Sequence, residues 1–491
     1  MRTMQFAIAA FMLFGTVIPL YAGWGEWEKA VLACDDDYSE IGVGKTFTRY
    51  FQASADYTCF SNSEFPNVPI IPERFSDPTD DDYPIKYRIN RIFYQGDETQ
   101  ADVDYTEIVI NPLTTHQSAA IPILSTCSYI DGGTEYCVGL ILRYVVDVDY
   151  NYTWKIIVKA VDIPADPENE MTWIGDESSI DSADGPIVSA DAAGDNSGNI
   201  HLVTAETSHN YFGNQGRNPD WTTNLYYSRW NAQEQDWDID HYLLPSTAVT
   251  GCIMRNPDVA CDSQGNVHVV FTYNDNAASS DYGIGYCKIV FNQLRQISNV
   301  TTDIIAQDGT GLMCESPDIT VDDLNSPHVV FQRSGNATDW RVYYSTKSGM
   351  GLWNAPTQVP PPQGTYYYYW EPSITYCHNY IHVVYAGAIP SGDETFTTSN
   401  DRIYYTRRSL TGMLFENPVE MSDDGHYNQN YDWDAIFKGN PIDTTQGYAN
   451  MNRFPCVIAG DDEVSVIWVG INYGYMGPTA ILARRCSWED E

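Results

Sequence analysis

The chain has 491 residues, enough for one large domain or several separate cores. Its 66 acidic residues outnumber 26 basic ones, for a formal charge of −40. That balance repels phosphate backbones and anionic lipid, so nucleic acid and acidic membranes are excluded as partners. It suits solubility in a salty, cation-rich exterior.

Met1-Arg2, an apolar run from Phe6 to Leu20, and Tyr21-Ala22-Gly23 read as a secretory signal over residues 1–22, cleaved after Ala22. The run is short for a spanning helix, and no second one follows, so no membrane span is expected after cleavage. The destination is extracellular or periplasmic. Residues 23–112 are an acidic segment with a Pro-rich stretch from Pro66 to Pro84 and strands predicted at Ile85 to Tyr94 and Tyr105 to Ile110.

From residue 113 to 491 one pattern recurs. Its clearest copy is Asn256-Pro257-Asp258-Val259-Ala260-Cys261-Asp262-Ser263-Gln264-Gly265-Asn266-Val267-His268-Val269-Val270-Phe271, read as strand, tight turn, strand. Pro257 can open a strand but has no N–H to give inside one. Asp262 to Asn266 is turn chemistry, and Val267 to Phe271 suits a strand buried on both faces. Equivalent prolines stand at 122, 186, 257, 317, 372 and 455. A Tyr-rich third strand follows, as in Leu225-Tyr226-Tyr227-Ser228, Val342-Tyr343-Tyr344-Ser345 and Ile403-Tyr404-Tyr405-Thr406, and then a fourth. An all-β repeat of this length predicts a β-propeller. Six blades are counted, with a seventh as the alternative if residues 45–100 form one. The last repeat runs out near Ala480 to Arg485, one strand short. The reading gives that place to residues 105–110, closing the ring and removing an open sheet edge.

The pattern Pro-Asp-Val-Ala-x-Asp-x-x-Gly-Asn-Val-His-Val-Val-Phe, followed by Tyr-Tyr-Ser, resembles the bacterial neuraminidase (Asp-box) repeat of sialidase-like propellers, over roughly residues 113 to 486. The family's Asp box survives only in worn form: Ser345 to Trp353 keeps the Ser, a Gly and the Trp but lacks the Asp. The family's arginine triad, Tyr–Glu nucleophile pair and acid–base Asp cannot be placed in order. Tyr87-Arg88-Ile89-Asn90 resembles one arginine-bearing motif of that family but lacks its proline, and is read as chance.

In a propeller, the loops entering the first strand and joining the second to the third open on one face. Here those loops are long and polar, at Glu206 to Thr223, Gly387 to Asn400 and Ser422 to Arg453, and form a cup. Tyr366 to Trp370, Trp221 and Trp433 bring aromatic faces suited to sugar rings. Two residues before each repeat proline stand Ala120, Asp184, Arg255, Glu315, Trp370 and Arg453, expected around the channel mouth. Arg255 and Arg453 would hold an anionic or hydroxyl-rich ligand, with Trp370, Tyr368, Tyr369 and Trp433 as stacking faces. The plain alternative is that Arg255 and Glu315 pair and hold neighbouring blades. Were the protein an enzyme, Asp184, Glu315 and Glu371 are the candidate acid, base or nucleophile.

His201, His268, His328 and His382 open second strands on the opposite end and read as turn-bonded core residues. Eleven cysteines, an odd number, lie outside the leader. Cys127 with Cys137, and Cys252 with Cys314, are the disulfide candidates; Cys261 and Cys287 are expected not to pair. No residue set has metal-ligand spacing, and no cofactor is expected. Calcium at the runs Asp35 to Asp37 and Asp80 to Asp82 is the alternative, though neither run has the spacing of a calcium loop. The expected function is binding of a glycan or extracellular protein without catalysis. The alternatives are a glycoside hydrolase, a polysaccharide lyase, or a structural surface protein.

Overall fold

The computed structural model describes strands between Gly23 and Glu489 and, with side chains, most of residues 187–207, 223–245, 253–274, 282–306, 313–334, 340–362, 369–389, 400–422 and 455–468. The strands run in order as follows. The N-terminal segment gives β1 (Gly23–Trp24), β2 (Val31–Leu32), β3 (Ser61–Asn62), β4 (Phe65–Pro66), β5 (Ile70–Ser76), β6 (Ile85–Tyr94) and β7 (Ala101–Ile110). Blade one holds β8 (Leu124–Asp131), β9 (Thr134–Val146), β10 (Tyr152–Asp162) and β11 (Thr172–Asp181). Blade two holds β12 (Ile187–Gly194), β13 (Asn199–Thr207), β14 (Thr223–Asn231) and β15 (Asp236–Leu243). Blade three holds β16 (Ile253–Cys261), β17 (Val267–Asn274), β18 (Gly283–Phe291) and β19 (Ile297–Ala306). Blade four holds β20 (Met313–Val321), β21 (Pro327–Ser334), β22 (Trp340–Thr346) and β23 (Thr357–Gln358). Blade five holds β24 (Tyr368–Cys377), β25 (Tyr380–Ile389), β26 (Asn400–Ser409) and β27 (Val419–Glu420). Blade six holds β28 (Asn450–Ala459), β29 (Glu463–Asn472) and β30 (Ala480–Glu489).

Each blade is an antiparallel meander, and the first strands of successive blades lie side by side, β12 by β16, β16 by β20, β20 by β24 and β24 by β28. This is the β-propeller architecture that the repeat predicts. The second strands explain its solidity. β13 and β17 are buried along their whole length, as a run with no polar face requires. Apolar cores lie between blades: Val203, Leu225 and Tyr227 meet Val259, Val269 and Phe271 across blades two and three. Val270, Ile284 and Tyr286 meet Ile319, Val329 and Phe331 across the next pair.

The predicted closing strand is corrected. Residues 105–110 belong to β7, which pairs with β6 from Ile85↔Ile110 to Tyr94↔Ala101. A hairpin closed by a short turn loses far less chain entropy than pairing across the whole molecule. The outer edge of β30 is covered by β1 and β2 instead, with Trp24↔Trp488 and Val31↔Ala483. The N-terminal segment does complete the last blade, but with residues 23–24 and 31–32. Residues predicted as a divergent seventh blade contribute β5 and β6, which with β7 form a three-stranded sheet whose first strand lies beside β8.

The turn end of each blade is stitched by a repeated triad. Asp195, Asp262 and Asp322 each accept the N–H groups two and four residues on, closing the first turn. Their other oxygen accepts from Nε2 of His201, His268 and His328 at 3.2, 3.1 and 3.1 Å. Nδ1 of each ring meets the hydroxyl of the second tyrosine of the third strand: Tyr227, Tyr286 and Tyr344, at 2.7, 2.8 and 2.6 Å. These histidines are core residues bonded to a turn, as expected from sequence.

Candidate functional site

Four first strands carry the same irregularity. Arg255, Glu315, Trp370 and Arg453 each pair normally with the second strand, opposite Thr272, Gln332, Ala386 and Val469. Immediately after each, two residues are extruded before pairing resumes at Asp258, Asp318, Ser373 and Cys456. The second extruded residue is the repeat proline, which has no ladder N–H to lose. The first is forced left-handed in three blades: Asn256, Ser316 and Glu371 sit at φ 50°, 49° and 50°. Such a conformation in a residue with a Cβ costs about 1–2 kcal/mol and needs surrounding structure to hold it. Gln332 supplies part of that support, its Oε1 accepting the Glu371 N–H at 3.0 Å.

Four of the six positions counted from the repeat prolines, Arg255, Glu315, Trp370 and Arg453, stand in equivalent register. Asp184 is not one of them. It lies outside the described residues, and blade two lacks the same bulge: Asp191, opposite Val203, is the equivalent of Asp258, opposite Val270. Counting back from Asp191 gives Val188, so the proline at 186 misled the alignment by four positions. Ala120 and Trp433, with the loops 208–222, 390–399 and 423–449, also lie outside the described residues, as do Asp35 to Asp37 and Asp80 to Asp82.

Arg255 donates through Nη2 to Glu315 Oε1 across the gap between blades three and four. Its guanidinium lies 4.3 Å from the centre of the Tyr282 ring. The Nε–H is buried and has no acceptor among the described residues. The pairing that holds neighbouring blades is therefore present, and the same arginine keeps a third of its side chain, 35 %, open to solvent. Trp370, Tyr368 and Arg453 are placed by their backbone on β24 and β28. Tyr369 is not a surface ring. It is 2 % exposed, sits edge-on to Tyr385 at 5.7 Å and lies under the Arg341 guanidinium, packing blade four against blade five.

Sequence reading missed Glu206, at the mouth end of β13 and wholly buried. It accepts the Ala183 N–H at 2.7 Å and the Thr204 hydroxyl at 2.8 Å. A single charged residue ending the apolar run Ile200 to Ala205 was the available signal. No group of His, Cys, Asp and Glu among the described residues is arranged to hold a metal ion. Cys314 is buried in the core between blades three and four, and Cys252 lies outside the described residues. In blade one, Cys137 stands opposite Ser128, one residue from Cys127. Cys287 pairs opposite Val269, whose other neighbour is Val259, so a whole strand separates it from the Cys261 strand, as expected for a pair that does not bridge.

No family model and no curated protein matches the chain. Among solved structures it is similar to polysaccharide lyase Uly1, with 9% identity, a TM-score of 0.49, and 95% of this chain covering 100% of that one. It is also similar to a Penicillium chrysogenum alpha-L-arabinanase complexed with arabinobiose, at 10% identity, a TM-score of 0.40 and coverage of 94% and 98%. A variant of NanB sialidase from Streptococcus pneumoniae gives 8%, 0.39, and 95% and 98%. At these values the likenesses assign no substrate and no residue role.

Proposed function

We propose that the chain is an exported propeller that binds a glycan at the channel mouth, without turning it over. The observation that supports this reading is the repeated bulge, which puts the backbones of Arg255, Glu315, Trp370 and Arg453 at equivalent register positions on successive blades. Arginine, carboxylate and indole are the groups that suit the alternating hydroxyls and C–H faces of a sugar ring. The buried Arg255 Nε–H offers a further donor. Glu315 is engaged by Arg255, which suits a fixed binding wall better than a proton-shuttling acid. The leader-like sequence of residues 1–22 favours export in this reading, and no helix among the described residues is long and apolar enough to cross a membrane. The test is binding of a panel of neutral and acidic oligosaccharides to the full chain. The double variant Arg255→Ala, Trp370→Ala is expected to weaken the best binder by at least ~10-fold, as loss of two central anchors does elsewhere. Unchanged affinity in a folded double variant would remove this reading.

Glu371 favours a second reading, that of a glycoside hydrolase or polysaccharide lyase. A left-handed residue bearing a carboxylate, on the strand next to the one that carries Glu315, is the kind of strained placement that clusters at active sites. Glu371→Gly separates the two. Relief of the backbone strain is expected to raise stability by about 1 kcal/mol. If the strain serves catalysis, the same variant loses turnover of a polysaccharide substrate; if not, turnover is absent in both proteins.

A further inference from the structure

Below the mouth, five successive first strands carry one row of side chains at the same register position. Asp191, Asp258, Asp318, Ser373 and Cys456 stand opposite Val203, Val270, Val330, Val384 and Ile467. Each of the first four accepts a backbone N–H from the next blade. Val259 donates to Asp191 Oδ2 at 2.9 Å, Ile319 to Asp258 Oδ2 at 3.3 Å, Ile374 to Asp318 Oδ2 at 3.0 Å, and Val457 to Ser373 Oγ at 3.2 Å. The same register lines up the side chains of Asp191, Asp258, Asp318 and Ser373 on successive blades, and Ser373 Oγ–H is 4.0 Å from Cys456 Sγ. Five blades are thus joined in a line by side chains, independently of the apolar cores behind them.

Two carboxylates cannot hydrogen-bond each other unless a proton lies between them. A protonated carboxyl has one O–H, so Asp258, standing between the other two, can donate to one of them at a time. Among the described residues, the groups facing the row do not supply a compensating cation. β13, β17 and β21 present valines opposite it. The nearest ion pair along the strands, Arg255 with Glu315, lies three residues nearer the mouth and is matched within itself. The remaining influences on the three carboxyls are one another, Ser373 and the amides of Ala192, Val259, Ile319 and Ile374. Burial, then the two neighbouring carboxyls, push Asp258 well above the ordinary carboxylate range. Burial pushes Asp191 up to about 6 and raises Asp318 as well.

We propose that Asp258 is a protonated latch at neutral pH, and that the channel wall across blades two, three and four loosens when that proton is lost. A carboxyl that holds its proton more tightly in the folded chain stabilises the fold at low pH. That stabilisation fades as pH rises from the unfolded value, 3.8, through the folded one. Asn at 258 keeps the geometry without a titrating proton: its amide N–H groups can serve Asp191 and Asp318, and its oxygen can accept from Ile319.

The experiment compares wild type with Asp258→Asn by denaturant unfolding of the full chain from pH 4 to pH 9. The difference between the two cancels the titrations they share. The variant is expected to gain on wild type progressively as pH rises, because only the wild type loses the Asp258 proton. Parallel profiles would overturn the latch. A second measurement stands even if the variant misfolds. Infrared spectra of the wild type at pH 7 are expected to contain a protonated carboxylic acid band that disappears in alkali, as exchange of the Val259, Ile319 and Ile374 amides accelerates. Absence of that band at pH 7 would equally overturn it.

Discussion

His268 shows how little freedom the turn end of a blade has. Its Nε2–H is given to Asp262 and its Nδ1 takes the Tyr286 hydroxyl, with all three side chains buried. Truncation by His268→Ala would leave a carboxylate and a phenol without their shared partner, which costs about 2–4 kcal/mol. Urea unfolding should register that loss, with glycan binding at the opposite end unchanged in the folded fraction. The same groups set the acid limit. Asp195 is raised by burial, but the hydrogen bond from His201 and then its charge and Asn199 outweigh this and bring it down to about 2. Its contribution is complete above 3.8 and is lost as pH falls toward 2, about 2 kcal/mol in all. Burial, then the Arg407 charge, lower His382 from 6.5 to about 3, so neutral His382 adds a second loss that begins below pH 6.5. Stability should therefore fall in two stages on acidification, first below pH 6.5 and then below pH 4, measurable as the urea midpoint against pH. This trend is opposite in sign to that of the Asp258 row.

At the level of the strand, the repeat was legible wherever residue chemistry forces geometry. Proline with no N–H, Asp and Gly in a tight turn, and an unbroken Val and Phe run each permit one placement, and the structure uses that placement. The Tyr-Tyr pair was half legible. The second tyrosine reaches the histidine, whereas of the first tyrosines Tyr343 and Tyr404 pack in the cores between blades. The row of Asp191, Asp258 and Asp318 was not legible, because its members are brought together by a register that the proline at 186 conceals. Nor was the closing strand, since Gly23-Trp24 and Val31-Leu32 are too short for any periodicity to mark. Blade three shows why the Tyr pattern tolerates one exception. Gly285 takes the place of the first tyrosine, and the Phe271 ring opposite lies over it. A Cβ there would come within 2.5 Å of the Phe271 ring, which is 1 % exposed and cannot retreat. Gly285→Ala is expected to cost about 1–3 kcal/mol by overpacking. Differential scanning fluorimetry should show the loss, and Gly285→Ala combined with Phe271→Leu should recover part of it.

Across the whole molecule, cohesion between blades comes from three layers acting on the same sheets: apolar cores, the row of side-chain latches along the channel, and the Arg255–Glu315 tie at the mouth. Within the last blade, none of these covers the outer edge of β30, a ten-residue strand whose unpaired N–H and C=O groups would offer a template for another chain. The chain's beginning supplies the cover. Trp24 stands opposite Trp488, and Val31 and Leu32 opposite Ala483 and Leu482, so two short segments protect both ends of the strand. Removal of residues 23–32 should then do more than shorten a tail. The truncated protein is expected to melt a few degrees lower and to self-associate through β30 as its concentration rises, read by light scattering after size exclusion. Trp24→Pro, which deletes one ladder N–H and the indole together, should reproduce part of the effect. A truncated chain that stays monomeric with an unchanged melting point would mean that β30 is protected by other parts of the molecule.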